Sequence, residues 1–254
     1  MNFHMLNKFI YILFFLTALP ADSGPRPEFN QTGLDEYAHQ VDQSFSYEVK
    51  ETKEYENYFV HNIKMISQQY LSTNEVNRPT WSHWLKVIEP KALKVNTSLL
   101  VIGAGDTDDS PPISSSQLIE LALISGSIVS ELSAVPNQPL AFKDEIFERT
   151  EDGIIAYTWK KFFLTGDPKW PARMAMTKSA IAAMDVIQDI FNVTQVKEFV
   201  ITGASKRGWA TWTTAAVDNR VKAIMPLVID MLNIKPSFEH HWEVYGFWAP
   251  AIKT

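Results

Sequence analysis

The chain has 254 residues, with 23 Lys plus Arg against 29 Asp plus Glu for a net charge of −6, 46% hydrophobic and 12% aromatic residues, and no cysteine. That composition fits one soluble globular domain, or two at most, and excludes disorder, collagen and coiled coil. Mild acidity gives no electrostatic reason to expect nucleic acid or an anionic membrane as partner. Without cysteine there are no thiol nucleophiles, Cys-ligated zinc, iron–sulfur clusters or disulfides, so any chemistry falls to oxygen and imidazole groups; no cofactor or metal is expected.

Lys8 precedes the apolar run Phe9 to Leu19, eleven residues long, and Pro20-Ala21-Asp22-Ser23-Gly24 follows. A cationic start, a short apolar core and small residues at the exit read as a secretory signal peptide over 1–23. The run is too short to cross a bilayer, which needs about 20 residues; an uncleaved anchor or a buried helix is the alternative. The sequons at Asn30, Asn96 and Asn192 become glycosylation candidates on a eukaryotic secretory route. The expected location is extracellular, with no membrane attachment after cleavage. Residues 24–40, with Pro25 and Pro27, read as a flexible N-terminal segment, and 41–254 as the folded domain.

Within the domain, the loose alternation of Phe45, Tyr47 and Val49, then Tyr58, Val60, Ile63 and Met65, predicts paired strands. Ser98-Leu99-Leu100-Val101-Ile102, bounded by Gly103-Ala104-Gly105, reads as a strand buried on both faces. Ser114 and Gln117 are spaced as a capping box for a helix that stops at Gly126. Ile128 to Leu132 is the next strand, and Thr150-Glu151-Asp152 caps a helix carrying Ile154 to Phe163 and ending at Gly166. Ala180, Ile181, Met184, Ile187 and Phe191 recur at helical spacing, with strands at Val196 to Thr202 and Val221 to Ile229. Apolar strands alternating with helices predict an α/β fold, a mostly parallel sheet with helices on both faces.

One stretch carries chemistry. The strand ending at Thr202 runs into Gly203-Ala204-Ser205-Lys206-Arg207-Gly208-Trp209 and a small-residue helix. A serine with small neighbours between a buried strand and a helix meets the needs of a nucleophile elbow, a turn so tight that bulk two residues either side would collide. The Lys206 amide is then one oxyanion donor, and the loop Gly103-Ala104-Gly105 supplies the second. The common pattern has glycine two places after the serine, where this chain has Arg207; an ordinary strand-to-helix turn is the competing reading.

Five strings together resemble the PhoPQ-activated pathogenicity-related family: Trp81-Ser82-His83-Trp84; Val135-Pro136-Asn137-Gln138-Pro139-Leu140; Asp152 to Trp159; Gly203 to Trp209; and His240-His241-Trp242 with Tyr245 to Pro250. The resemblance runs from about residue 35 to 252. It implies an α/β-hydrolase fold with Ser205 at the nucleophile position. It also implies a link to extracellular control of proliferation and movement, and a likeness to serine peptidases.

A hydrolase serine needs a histidine and an orienting carboxylate, in the chain order Ser, acid, His. After Ser205, Asp230 follows an apolar strand and is a possible acid, whereas His240 and His241 fall in what reads as a helix, where a packed or surface pair is expected. In the family the acid and histidine are expected past Thr254. The chain is therefore expected to be C-terminally incomplete, as a fragment, a gene-model error or an isoform, lacking at least two strands and the last two triad members and inactive alone. The partner is an ester or peptide substrate, or else an extracellular protein if the fold serves signalling. Asp106, Asp108 and Asp109 lack calcium-loop spacing and read as a solvated loop. Trp209, Trp212, Trp242, Phe247 and Trp248 read as core or cap packing, with a pocket lining as the alternative, and Lys206 and Arg207 as solvated helix-start charges, with contact to an anionic substrate group as the alternative.

Overall fold

A computed structural model describes residues 31–229 and 233–248. The signal-peptide, Asn30 and Asp230 readings lie outside these. Three long strands open the sheet as an antiparallel meander: β1 (Ser46–Glu54), β2 (Tyr58–Gln69) and β3 (Thr80–Pro90). Along β3 the side chains of Trp81, His83, Leu85 and Val87 alternate onto one face and are fully buried. β4 (Thr97–Ile102), β5 (Val129–Leu132), β8 (Glu198–Ala204) and β9 (Val221–Leu227) are mutually parallel, and the seven-stranded order is β1-β2-β3-β5-β4-β8-β9. β6 (Leu140–Ala141) and β7 (Glu148–Arg149) make a separate small ladder.

The helices are α1 (Gly33–His39), α2 (Ser116–Ser125), α3 (Glu151–Thr165), α4 (Ala172–Gln195), α5 (Lys206–Val217) and α6 (Ile234–Tyr245). α4 buries Ala172, Ala175, Met176, Ala180, Ala183, Met184 and Ile187. That stripe follows the helical repeat, and its small residues let the helix lie close to the sheet. α2 and α3 stop at Gly126 and Gly166, as the sequence predicts, with φ of 65° and 70°.

Three sequence expectations need correction. α2 has Ser115, not Ser114, at its N-cap and no capping box, because the Ser115 hydroxyl donates to Gln117 Oε1 at 2.6 Å instead of accepting a backbone N–H. The segment 24–40 is not wholly flexible: α1 is held by a Thr32/Asp35 capping box, buries Ala38, and ties Tyr37 to Gln68 at 3.0 Å. Trp242, Phe247 and Trp248 are exposed rather than core. α6 has no buried residue, and Trp242 and Phe238 pack on Trp248 at 5.2 and 5.6 Å. Among the described residues, β9 pairs with β8 alone and leaves Met225 and Leu227 exposed.

Beneath the sheet lies a buried polar knot. His83 bonds Ser67 Oγ at 2.9 Å and the Ser133 carbonyl at 3.0 Å, and Ser67 bonds Ser179 at 3.0 Å. Burial lowers the His83 pKa to about 4, against the opposing bond to Ser133, so the imidazole is neutral near neutral pH.

Candidate active site

β8 passes into α5 through a single residue, Ser205, with φ 56° and ψ −123°. A non-glycine residue there is strained, and such strain persists only where the surroundings over-determine it. The Ser205 N–H donates to Leu227 O at 2.9 Å and its carbonyl accepts from Trp209 at 3.1 Å, so both ends of the turn are pinned. The glycines make that closeness possible. A Cβ on Gly203 would lie 2.7 Å from the Arg207 carbonyl oxygen, and one on Gly208 would lie 2.5 Å from Ile229 Cγ2 and 2.9 Å from the Gly203 oxygen. This explains the unusual spacing: the position wedged against β8 and β9 is the third after the serine, and Arg207 turns away from it.

At the start of α5 the amides of Lys206, Arg207 and Gly208 have no acceptor among the described residues, as expected for the first turn of a helix. The pairing of Ile102 with Gly203 brings the Gly103-Ala104-Gly105 loop alongside the turn. Ala104 and Gly105 also keep unused N–H groups among the described residues, but Gly103 donates to Leu132 O at 2.7 Å. Gly103 is therefore not a donor for a substrate oxygen; its lack of a side chain matters because a Cβ would sit 3.0 Å from that same carbonyl oxygen.

Lys206 and Arg207 are not solvated charges; each is only 6% exposed. The Arg207 guanidinium grips both oxygens of Glu151, at 2.7 and 2.6 Å, and Nε donates to the Val135 carbonyl. Lys206 Nζ reaches Glu151 at 2.5 Å and Asp152 at 3.2 Å. Burial works against ionisation of Glu151, but the bonds and charges of Arg207 and Lys206 outweigh it and hold the carboxyl at about 2. Glu151 has φ 49°; its N–H donates to Gln138 Oε1 at 2.8 Å, and Gln138 Nε2 returns to Glu151 at 2.9 Å and to Asp106 at 3.0 Å. The Gln138 carbonyl also takes the Thr107 N–H at 2.8 Å. One carboxylate thus ties the elbow-like turn to the Gly103–Gly105 loop.

Neither Glu151 nor its link to position 207 is visible in sequence. An acidic residue at a helix start reads as a dipole partner, and its cations lie 55 and 56 positions away. Arg173 was missed for the same reason: it stacks on Trp209 and bonds the Lys206 carbonyl at 3.1 Å.

The remaining candidates lie elsewhere. No described histidine bonds Ser205 Oγ: His240 is exposed on α6, and the His241 ring packs on Tyr245 and Trp248 at 4.9 and 5.7 Å. Among Asp106, Asp108 and Asp109, Asp106 and Asp109 take loop bonds and Asp108 pairs with Arg78 at 2.8 Å. No described group of residues has the makings of a metal site. Asn96 and Asn192 are exposed near the N-terminal ends of β4 and β8, at the edge of the sheet opposite Ser205.

The model of a family described as PhoPQ-activated pathogenicity-related protein matches residues 34–254. Autocrine proliferation repressor protein A of Dictyostelium discoideum is 36% identical over 226 residues, covering 87% of this chain and 46% of that protein, so the chain spans about half the length of its curated relative. Among solved structures, acetyl xylan esterase 1 from Thermoanaerobacterium sp. superposes with a TM-score of 0.54 at 14% identity, over 87% of this chain and 64% of the esterase. An acetyl xylan esterase from Paenibacillus sp. R4 superposes with 0.51 at 13% identity, over 89% and 67%. At such identities the likeness is one of fold, that of the α/β-hydrolases.

Proposed function

The chain belongs to the PhoPQ-activated pathogenicity-related family, has an α/β-hydrolase fold, and on that premise we propose that Ser205 is the nucleophile of an acyl-transfer site acting on an ester or peptide. The observation that carries the reading is the backbone of Ser205 at φ 56° and ψ −123°, between β8 and α5 and beside two sets of unused amides. In the proposed step, Ser205 Oγ adds to the substrate carbonyl as its proton passes to a histidine. The oxyanion rests on the Lys206 amide and on Ala104 or Gly105. Collapse expels the alcohol or amine, which takes that proton back, and water repeats the cycle to free the acid and regenerate the serine. We place the base and its orienting carboxylate outside the described residues. Asp230 is one candidate for the acid, and the part of the relative's length that the match does not span is where the family resemblance puts both.

Export is part of the proposal, through cleavage of residues 1–23 and glycosylation at Asn30, Asn96 and Asn192; among the described residues no helix is long and apolar enough to cross a membrane. The name of the 36%-identical relative favours a second reading, a secreted repressor of proliferation that keeps the fold without catalysis. A fluorophosphonate probe separates the two. Labelling of Ser205 in a reading frame extended through an acid and a histidine, abolished by Ser205→Ala, supports acyl transfer; no labelling of that longer protein defeats it.

A further inference from the structure

Arg173 stands in the first turn of α4, which packs along α5. Its guanidinium lies 3.3 Å from the centroid of the Trp209 ring, and Nη1 donates to Lys206 O at 3.1 Å. Trp209 is one turn beyond Ser205 on α5. Helical side chains lean over the turn N-terminal to their own Cα, which carries this indole toward Ser205. Trp159 meets the same ring edge-on at 5.4 Å. The guanidinium plane is thereby fixed against the first turn of α5, the helix that starts directly after Ser205.

Its charge has no ion-pair partner among the described residues: Glu151 is taken by Arg207 and Lys206, and Asp152 by Lys206. Nε is buried and has no acceptor among the described residues. Burial pulls the group down to about 9, with Asp152 only partly opposing it. Among the described residues, three cations thus share two carboxylates beside the start of α5. A desolvated cation with unused N–H groups is costly unless a ligand brings the missing anion.

We infer that Arg173 is the anion-recognition residue of the Ser205 site, so that the substrate carries a carboxylate near the bond to be cleaved. The planar, forked guanidinium suits a carboxylate better than any point charge would. The inference rests on the acyl-transfer reading for its substrate, but not for its binding site.

The test compares mono(4-nitrophenyl) glutarate with its neutral counterpart 4-nitrophenyl valerate, reading tryptophan quenching for affinity and nitrophenolate release for turnover. The wild type is expected to favour the charged ester by about tenfold or more, as a charge-assisted hydrogen bond would give. Arg173→Gln brings that ratio close to one. Arg173→Met, which keeps the stem, serves if the glutamine variant does not fold; if neither folds, Arg173 is a strut between α4 and α5 and the inference falls. An unchanged ratio in a folded variant, or a wild type with no preference, also overturns it. If the extended protein neither releases nitrophenolate nor labels with fluorophosphonate, the acyl-transfer reading fails while the affinity ratio still decides the anion site.

Discussion

Glu151→Gln keeps the shape at the centre of the ion network and removes its charge. One carboxylate there holds Arg207 through two bonds, at 2.7 and 2.6 Å, and Lys206 through a third, at 2.5 Å. Removing one partner of a buried ion pair costs about 3–5 kcal/mol, because the other charge stays desolvated. The Glu151 side chain is itself 36% exposed. Solvent and Asp152 therefore absorb part of the loss, and about 2–3 kcal/mol is expected. In a domain of this size that lowers Tm by roughly 4–12 °C, readable by circular dichroism. The pH dependence identifies the cause. A carboxyl held at about 2 in the folded chain, against 4.5 ordinarily, contributes stability that is fully present above pH 4.5 and lost as pH falls toward 2. The gap between wild type and variant, measured by urea unfolding, should close across that window. A Tm shift under about 2 °C, or a gap independent of pH, would refute the reasoning.

His83 predicts a second acid-sensitive step: its folded pKa of about 4 lies below the ordinary 6.5, so stability is fully present above pH 6.5 and falls as pH drops toward 4. The loss is on the order of 3 kcal/mol, and His83→Gln should flatten that part of the urea-unfolding profile. Gly203→Ala and Gly208→Ala place a methyl 2.7 Å from Arg207 O and 2.5 Å from Ile229 Cγ2, respectively. Each is expected to destabilise by about 1–3 kcal/mol in thermal melts, whereas a neutral result would mean that the turn is looser than described. Ser205→Gly relieves a positive φ of 56°. It should raise stability by about 1 kcal/mol while removing the hydroxyl, and a loss of stability would show that the turn is not strained.

Sequence made the framework legible where patterning is local. The apolar run 98–102, the small residues around Ser205 and the stops at Gly126 and Gly166 each announce an element over a few positions. The capping box at Ser114 failed because three consecutive serines offer several equivalent N-caps, and spacing cannot choose among them. The oxyanion loop was half legible: the small residues of 103–105 mark a close approach, but only the sheet register shows that the Gly103 amide already serves Leu132. The ion network was illegible because it joins the start of α3 to the start of α5 through tertiary structure alone. Lys206 and Arg207 read as surface charges for the same reason, since nothing within ten residues of them in sequence neutralises them.

Because β4, β5, β8 and β9 are parallel, that part of the sheet has a front and a back. Asn96 and Asn192 both stand at the back, where β4 and β8 begin, while Ser205 stands at the front, where β8 ends. Sugar attached at those asparagines would clothe the rear in a hydrated brush and leave the mouth of the site bare. Glycan size could then vary between cell types, or a lectin could hold the molecule by its back, without obstructing whatever approaches the serine.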